Sequence, residues 1–183
     1  AKKYAEMYPE GSPTTRNDAL EMCLQGEELL ILRQEMISDA LANLCSKLEK
    51  HWRFESPSLP RTREAVLATK TIIETVIPDG NYHYFHFWMQ FIHEKLSDIA
   101  QADGDPALAV EELSKALYHA SERDRSMTGG KHPYTCPILD HYDYDFSSSR
   151  PIGSCAEYMK TELREQKRYD PLRHREDFKA LLD

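Results

Sequence analysis

The sequence predicts an all-α fold built from stacked antiparallel helical hairpins. Only 7 of the 183 residues are Gly, about half the average usage, while Glu, Leu and Ala are abundant. Apolar residues recur at spacings of three and four over long stretches, which is the pattern of amphipathic helices. A tight turn over 103–106 separates two of these stretches. Because two antiparallel helices cannot bury their apolar faces alone, we expect the hairpins to stack on each other.

Composition and charge argue against several classes of protein. The chain carries 23 Lys and Arg against 31 Asp and Glu, a formal net charge of −8, which disfavours contact of these residues with a nucleic-acid backbone. No apolar run is long enough to cross a bilayer, and no signal peptide opens the sequence. We therefore predict a cytoplasmic protein with no membrane partner. The sequence begins with Ala1 and not with Met, so we expect it to be a fragment of a longer chain.

The chain is expected to divide after its first helix. Residues 1–25 are predicted to form an N-terminal arm or a short helix, and residues 26–183 a single helical domain. The short helix is expected to begin at Asn17, a suitable N-cap residue, and to be closed by Gly26, because Gly readily adopts the backbone conformation that ends a helix.

Four long helices are predicted in the domain, each with an apolar face that turns inward. They cover residues 27–51, 61–77, 82–102 and 106–122. A turn over 78–81 precedes the third helix, and Asp105 and Pro106 suit the N-cap and first position of the fourth. These helices are expected to pair as hairpins joined by short turns.

The C-terminal part is predicted to be less regular. Glycines, prolines and serines interrupt residues 125–152, which are expected to form a long loop with one helical turn over 136–139. Ser154 is expected to cap a helix that ends at Lys167. A final short helix over 173–182 follows a break at 169–171.

The strongest internal signal lies in the hairpin of the third and fourth predicted helices. Ala109, Leu113 and Ala116 are spaced four and three, so two small residues let the helices approach while the larger residue fills the gap. Ser97 supplies a small residue on the facing helix. This spacing resembles the second helix of a tetratricopeptide repeat; the alternative is an ordinary antiparallel helix pair.

From Gly26 onward the chain resembles the C-terminal helical-repeat region of bacterial helix-turn-helix transcription regulators of the XRE (Cro/C1-type) family. The resemblance rests on the long helix after Gly26, the turn over 78–80, the aromatic helix start at 82–85, the Gly104-Asp105 hairpin with the run 116–120, and the closing segment 169–182. It implies a non-catalytic domain that senses a peptide or small molecule, forms a homodimer and needs no cofactor. DNA would be reached only through an N-terminal helix-turn-helix, for which residues 1–25 are too short. The alternative is a protein–protein interaction scaffold without a link to DNA.

A polar stripe on the helix predicted over 82–102 is the candidate binding site. Four uncharged polar residues recur at spacings of four, three and four, so they share one helix face: His86, Gln90, His93 and Ser97. Two aromatic residues flank them: Tyr84 and Phe87. Neutral donors and acceptors of this kind can bind a peptide backbone. We predict that these six residues line a ligand or peptide groove; the alternative is a solvated helix surface.

A looser cluster in the predicted loop offers a weak candidate for metal binding: His132, Cys136 and His141. Its spacing resembles half of a zinc site, and a metal-dependent enzyme centred on it is a further alternative. The sequence contains no phosphate loop, nucleophile elbow, H-E-x-x-H motif or dinucleotide fingerprint. We therefore predict neither catalytic residues nor a bound metal.

The four cysteines are widely spaced and include no C-x-x-C pair. They are expected to be reduced thiols, with Cys45 buried in its helix. A redox-sensing pair is the alternative.

Overall fold

The computed structural model describes residues 17, 20, 21, 23–147 and 153–183. In this part of the chain six α-helices follow each other: α1 (Gly26–Trp52), α2 (Pro60–Val76), α3 (His86–Ala102), α4 (Pro106–Ser126), α5 (Cys155–Glu165) and α6 (Glu176–Ala180). Two 3₁₀ segments, His83–Phe85 and Lys167–Leu172, precede α3 and α6. The predicted all-α class is therefore confirmed, and none of the described helices is long and apolar enough to span a membrane. The predicted arm over 1–16 lies outside the described residues.

Side-chain caps determine two of the helix starts. The Asp105 carboxylate accepts a hydrogen bond from the backbone N–H of Leu108 at 3.0 Å and so caps α4. The Ser154 hydroxyl accepts one from the backbone N–H of Glu157 at 3.1 Å and caps α5. Both caps are those that the sequence predicts. Pro106 stands in the first turn of α4, where a missing N–H costs nothing.

Three of the predicted helices have a boundary that differs by three or more residues from the structure. The third predicted helix, 82–102, is divided into a 3₁₀ segment and α3, because His83 adopts a left-handed φ of +44° that an α-helix does not accommodate. α4 extends to Ser126, beyond its predicted end at 122. The predicted helix over 173–182 is reduced to α6, since Arg175 has an extended backbone, with φ −82° and ψ 137°, and α6 begins only at Glu176.

α3 and α4 form the most extensive interface among the described elements. Ala109, Leu113 and Ala116 on α4 and Ser97 on α3 are all fully buried. The small, large and small residues therefore lie in the interior, as the sequence predicts. The wider stacking of hairpins into a repeat superhelix remains a prediction.

Two clusters of buried apolar side chains hold the helices together. The larger joins α1, α2, α3 and the segment that follows α4, through residues that include Trp52, Ile73, Phe85, Ile92 and Tyr134. The smaller joins α4, α5 and the C-terminal segments through residues that include Leu113, Leu163, Tyr169 and Phe178. α3 contributes to both clusters and is therefore the central helix of the fold.

A short antiparallel β-hairpin interrupts the loop predicted over 125–152. Strand β1 (Lys131–Pro133) pairs with strand β2 (Asp143–Asp145). The prediction of a loop without strands is wrong here, because each strand has only three residues and contains Pro or Asp, which are depleted in strands. The predicted turn between them is present: the backbone N–H of Leu139 donates to the carbonyl oxygen of Cys136 at 2.9 Å.

Polar contacts attach the β-hairpin segment to the helices. Gln34 of α1 donates from Nε2 to Asp140 Oδ1 at 2.9 Å, and its Oε1 accepts from the backbone N–H of His141 at 2.7 Å. His83 Nε2 lies 2.9 Å from the carbonyl oxygen of Pro133. Since a carbonyl oxygen can only accept, His83 carries a proton on Nε2. This hydrogen bond holds β1 against the 3₁₀ segment that precedes α3.

Asp124 of α4 connects this helix to the start of α5, and its replacement is expected to destabilise the protein. Asp124 accepts hydrogen bonds from the Ser154 hydroxyl at 2.6 Å and from the backbone N–H groups of Cys155 and Ala156 at 2.7 and 3.0 Å. We expect Asp124→Ala to lower the free energy of unfolding by about 2 kcal/mol, because it leaves free donors in the first turn of α5. Urea denaturation measures the loss. Arg125→Ala, at an exposed neighbour, is the control and should cost less than about 0.5 kcal/mol; equal losses would contradict the role of Asp124.

Candidate functional site

The polar stripe of α3 is buried. His86, Gln90, His93 and Ser97 expose at most 7% of their surface. The interpretation of this face as a solvated helix surface is therefore wrong. Two of the four side chains contact polar groups of α4, and the hydrogen bonds between the helices define the candidate site.

Two cavities adjoin α3, and they separate the predicted groove residues. The first, which we name the hairpin cavity, has a volume of about 710 Å³, lies between α2, α3 and α4, and is lined by His93. The second, named the α5 groove, has a volume of about 850 Å³, is lined by α3, α5 and the end of α1, and includes Gln90. The other four predicted groove residues line neither cavity: Tyr84, His86, Phe87 and Ser97.

Tyr84 and Phe87 pack against neighbouring side chains instead. The Tyr84 ring stacks on Tyr144 of β2, with 5.2 Å between the ring centroids and 11° between the planes. The guanidinium of Arg123 lies 4.6 Å from the centroid of the Phe87 ring. These residues attach the β-hairpin and the end of α4 to α3. Ser97 lies in the α3–α4 interface, where its Oγ has no partner among the described residues.

His86 and His119 form a buried pair across the α3–α4 interface. Their Nδ1 atoms are 2.8 Å apart, so one Nδ1 donates a proton that the other accepts. Burial, with a smaller effect of His83, lowers the pKa of His86 to about 4. Burial also lowers the pKa of His119 to about 3, and His86, His93 and Lys70 act in the same direction. Both imidazoles are therefore neutral at neutral pH.

His93 stacks on His119 of this pair and forms a hydrogen bond with the carboxylate of Glu112. Its ring lies parallel to that of His119, with 5.3 Å between the centroids and 8° between the planes. Its Nδ1 is 2.6 Å from Oε2 of Glu112. Burial favours a raised pKa for the Glu112 carboxyl, but hydrogen bonds from His93 and Lys115 outweigh it and keep that pKa below its ordinary value. Glu112 is therefore ionised, and Nδ1 of His93 is the donor.

The rest of the hairpin cavity combines apolar walls with paired charges. Its apolar lining includes Leu67, Met89, Leu96, Ile99 and Leu108. The charged side chains at its rim are paired, Arg63 with Asp103 and Lys70 with Glu74. Apolar walls with a few convergent polar groups are typical of a small-molecule site. The neutral imidazole of His119 and the paired charges make this cavity suitable for an uncharged ligand.

His119 and Glu112 are the site residues that the sequence prediction omits, because it assigns α4 only to hairpin packing. Glu112 and His119 are seven residues apart, and so are His86 and His93 on α3. Residues with this spacing share a helix face. Both helices of the predicted hairpin therefore carry two polar residues at an interval of seven. This shared interval is the signal that could have identified the cluster of histidines and Glu112.

The three metal candidates of the loop do not come together as ligands. His132 packs edge-on against Phe146, with 5.5 Å between the ring centroids, and its buried Nε2 has no partner in the described chain. Burial raises the pKa of the Cys136 thiol, which disfavours the thiolate that a metal binds. His141 is partly exposed beside Asp140. The described residues contain no group of three or more His, Cys, Asp or Glu that could hold a metal ion.

Cys45 is fully buried in α1, as predicted, and burial raises the pKa of its thiol to about 12. Cys23 is exposed, Cys136 is buried and Cys155 is half-buried, and none of the four forms a disulfide. Cys45 therefore acts as a small apolar side chain of the core.

Comparisons with protein-family models, curated proteins and solved structures find no match to this chain.

The contact between His93 and Glu112 is expected to have a coupling energy of about 2 kcal/mol. Both side chains are buried. Replacing Glu112 leaves Nδ1 of His93 unpaired in the interior, whereas replacing His93 leaves Oε2 of Glu112 without its buried donor and Lys115 as the remaining partner of the carboxylate. A double-mutant cycle of His93→Leu and Glu112→Leu, followed by urea denaturation, measures this energy. The exposed pair of Lys179 and Glu176, at 2.6 Å, is the control, with an expected coupling below about 1 kcal/mol. Equal coupling in the two cycles would contradict the importance of burial.

Proposed function

We propose that this chain is the non-catalytic regulatory domain of a cytoplasmic DNA-binding transcription regulator, with a small-molecule effector bound in the hairpin cavity. The observation that carries the proposal is the cavity itself, in which apolar walls meet His119 and the hydrogen-bonded His93 and Glu112. The link to DNA comes from the resemblance of the chain to XRE-family regulators, and it requires a helix-turn-helix module outside these residues. The proposed activity is binding, without a reaction and without a cofactor.

The position of the cavity indicates how an effector would act. α2 belongs to the hairpin of α1 and α2, whereas α3 and α4 form the next hairpin, so a bound molecule contacts both. A ligand that fits one angle between the hairpins better than another shifts the population towards that angle. In a paired regulator this shift alters the spacing of the two DNA-binding modules, which couples effector binding to DNA binding.

The lining favours a compact, uncharged and partly planar ligand. His119 directs Nδ1 to His86, and His93 directs Nδ1 to Glu112, so the Nε2 atoms of His93 and His119 are the ring nitrogens left for a ligand. Tyr118, which also lines the cavity, lies edge-on to His119 with 5.2 Å between the centroids. An aromatic ring that carries a donor and an acceptor would use both the imidazoles and the apolar walls.

A cavity-filling variant tests the effector site. Leu67 of α2 is 44% exposed and lines the hairpin cavity, so Leu67→Trp should fill the cavity without disturbing the core. Neutral aromatic fragments are screened by ligand-observed NMR, and binders to the wild type should lose at least about tenfold in affinity in the variant. Ile138→Trp, at an exposed residue outside both cavities, is the control. Fragments that bind both variants equally, or a screen without binders, would overturn the site.

The link to DNA is tested on the complete gene product. We expect a basic helical module to precede Ala1 in the complete gene product. The complete protein should then bind promoter DNA in a mobility-shift experiment. A fragment that binds the hairpin cavity should change this affinity in the wild type and not in Leu67→Trp. A gene product that does not bind DNA would overturn the regulator and favour the scaffold described next.

A protein-interaction scaffold is the second candidate, and the α5 groove favours it. Phe54 and Tyr158 line this groove and are 88% and 66% exposed. Gln90 lines it as well, is only 7% exposed, and its Oε1 has no partner among the described atoms. Exposed aromatic rings beside an unsatisfied acceptor suit a peptide that donates backbone N–H groups. Peptides from a display library should bind the wild type and lose affinity in Phe54→Ala; a selection that yields no such peptide removes this candidate.

A further inference from the structure

One face of α1 leaves a row of apolar side chains in solvent. Leu30, Ile37 and Leu44 are 39%, 40% and 42% exposed, and they follow each other at intervals of seven residues. At a rise of 1.5 Å per residue, this α1 stripe extends for about 21 Å along the helix. Residues seven apart lie nearly in line, as one apolar position of a coiled-coil heptad does.

The residues at the second position of the heptad are buried against the rest of the same chain. Gln34 and Leu41, each four residues after a member of the α1 stripe, are buried, and Leu48 packs on the larger core cluster. α1 therefore exposes one apolar heptad position, whereas the second position, which includes the polar Gln34, is buried against the rest of the same chain. Ala40 is exposed beside Ile37, and its small side chain permits close approach at the middle of the stripe.

We propose that the α1 stripe is covered by the same stripe of a second copy of this chain, with the two α1 helices antiparallel across a two-fold axis at Ile37. Leu30 of each copy then faces Leu44 of the other, since both are seven residues from Ile37. A contact of this kind uses the same patch on both copies and closes as a dimer. The inference supplies the pairing on which the proposed mechanism depends, at a surface separate from the effector site, because no residue of α1 lines the hairpin cavity.

The charges of α1 favour a second copy in this orientation. The first turn carries Glu27 and Glu28, whereas the end of the helix carries Lys47, Lys50 and His51. Antiparallel pairing places the acidic start of each helix beside the basic end of the other, and it also opposes the helix dipoles. Parallel pairing would bring like charges together. This self-complementarity is the reason for assigning the stripe to a second copy and not to another protein.

Disulfide cross-linking tests the position of the axis. In a Cys23→Ser background, which removes the exposed native thiol, Ile37→Cys should link two chains under mild oxidation. Leu30→Cys and Leu44→Cys should each remain unlinked alone and should link to each other when mixed. A parallel dimer would link each of these two variants to itself, and that pattern would overturn the antiparallel arrangement.

The oligomeric mass tests the association itself. The chain of 21.2 kDa should have twice that mass by light scattering, whereas Ile37→Asp should be monomeric with an unchanged helical circular-dichroism spectrum. Ile138→Asp, at an exposed residue outside α1, should remain dimeric. A monomeric wild type, or a dimeric Ile37→Asp, would overturn the proposal. Fragment binding in the hairpin cavity is measured separately, so failure of the dimer and failure of the proposed function are distinguishable.

Discussion

Acidification is expected to destabilise this protein at the α3–α4 interface, where His86 and His119 are buried as neutral imidazoles. Their pKa values in the folded chain are about 4 and about 3, whereas an unfolded histidine has a pKa of about 6.5. The unfolded chain therefore binds more protons between these values, and unfolding becomes more favourable as the pH falls. The stabilisation is complete above about pH 6.5 and is progressively lost below it.

At about pH 5 the two histidines together should lower the free energy of unfolding by about 4 kcal/mol relative to neutral pH. Protonation also leaves two donors facing each other, because the shared hydrogen bond of 2.8 Å needs one unprotonated Nδ1. Urea denaturation followed by circular dichroism at a series of pH values measures this dependence.

Matched variants identify the groups responsible. His119→Gln should remove about half of the pH dependence, since it keeps a polar group and removes one of the two titrating rings. His51→Gln, at an exposed histidine of α1, should leave the dependence unchanged. An identical pH dependence in the wild type and in His119→Gln would show that the pair does not control acid stability.

Leu113→Ala is expected to lower the free energy of unfolding by about 3–5 kcal/mol. Leu113 is fully buried, and its neighbours along the helix face, Ala109 and Ala116, are too small to refill the space. Thermal or urea denaturation measures the loss. Leu108→Ala, at a residue of the same helix that is 42% exposed, should cost less than about 1 kcal/mol. A similarly small loss for Leu113→Ala would contradict the tight packing of the two helices.

The helices could be predicted from the sequence because their signals are local. Asp105 and Ser154 mark helix starts through hydrogen bonds that reach only three residues along the chain. The β-hairpin could not be predicted in the same way, since distant contacts hold it. The bond of Gln34 to Asp140 and the stacking of Tyr144 on Tyr84 join parts of the chain that no local pattern relates.

The candidate site was predictable only in part. The spacing of His86 and His93 identifies a polar face of α3, but the neighbouring helix decides whether such a face meets solvent, a cavity or another side chain. Their partners, His119 and Glu112, lie on α4. The periodicity of α3 does not specify which residues of α4 lie opposite, so the division of Gln90 and His93 between two cavities required the three-dimensional arrangement.

The contact between Gln34 and Asp140 also bears on the order of folding. It joins residues separated by 106 positions, whereas the hairpins of α1 with α2 and of α3 with α4 close over short turns. Residues so far apart in the sequence must diffuse together before the contact can form. The entropy cost of closing this loop is therefore larger than that of closing either helical hairpin. We expect the strand pair to be acquired last during refolding and to exchange its amide hydrogens first in the native state, ahead of the central helices.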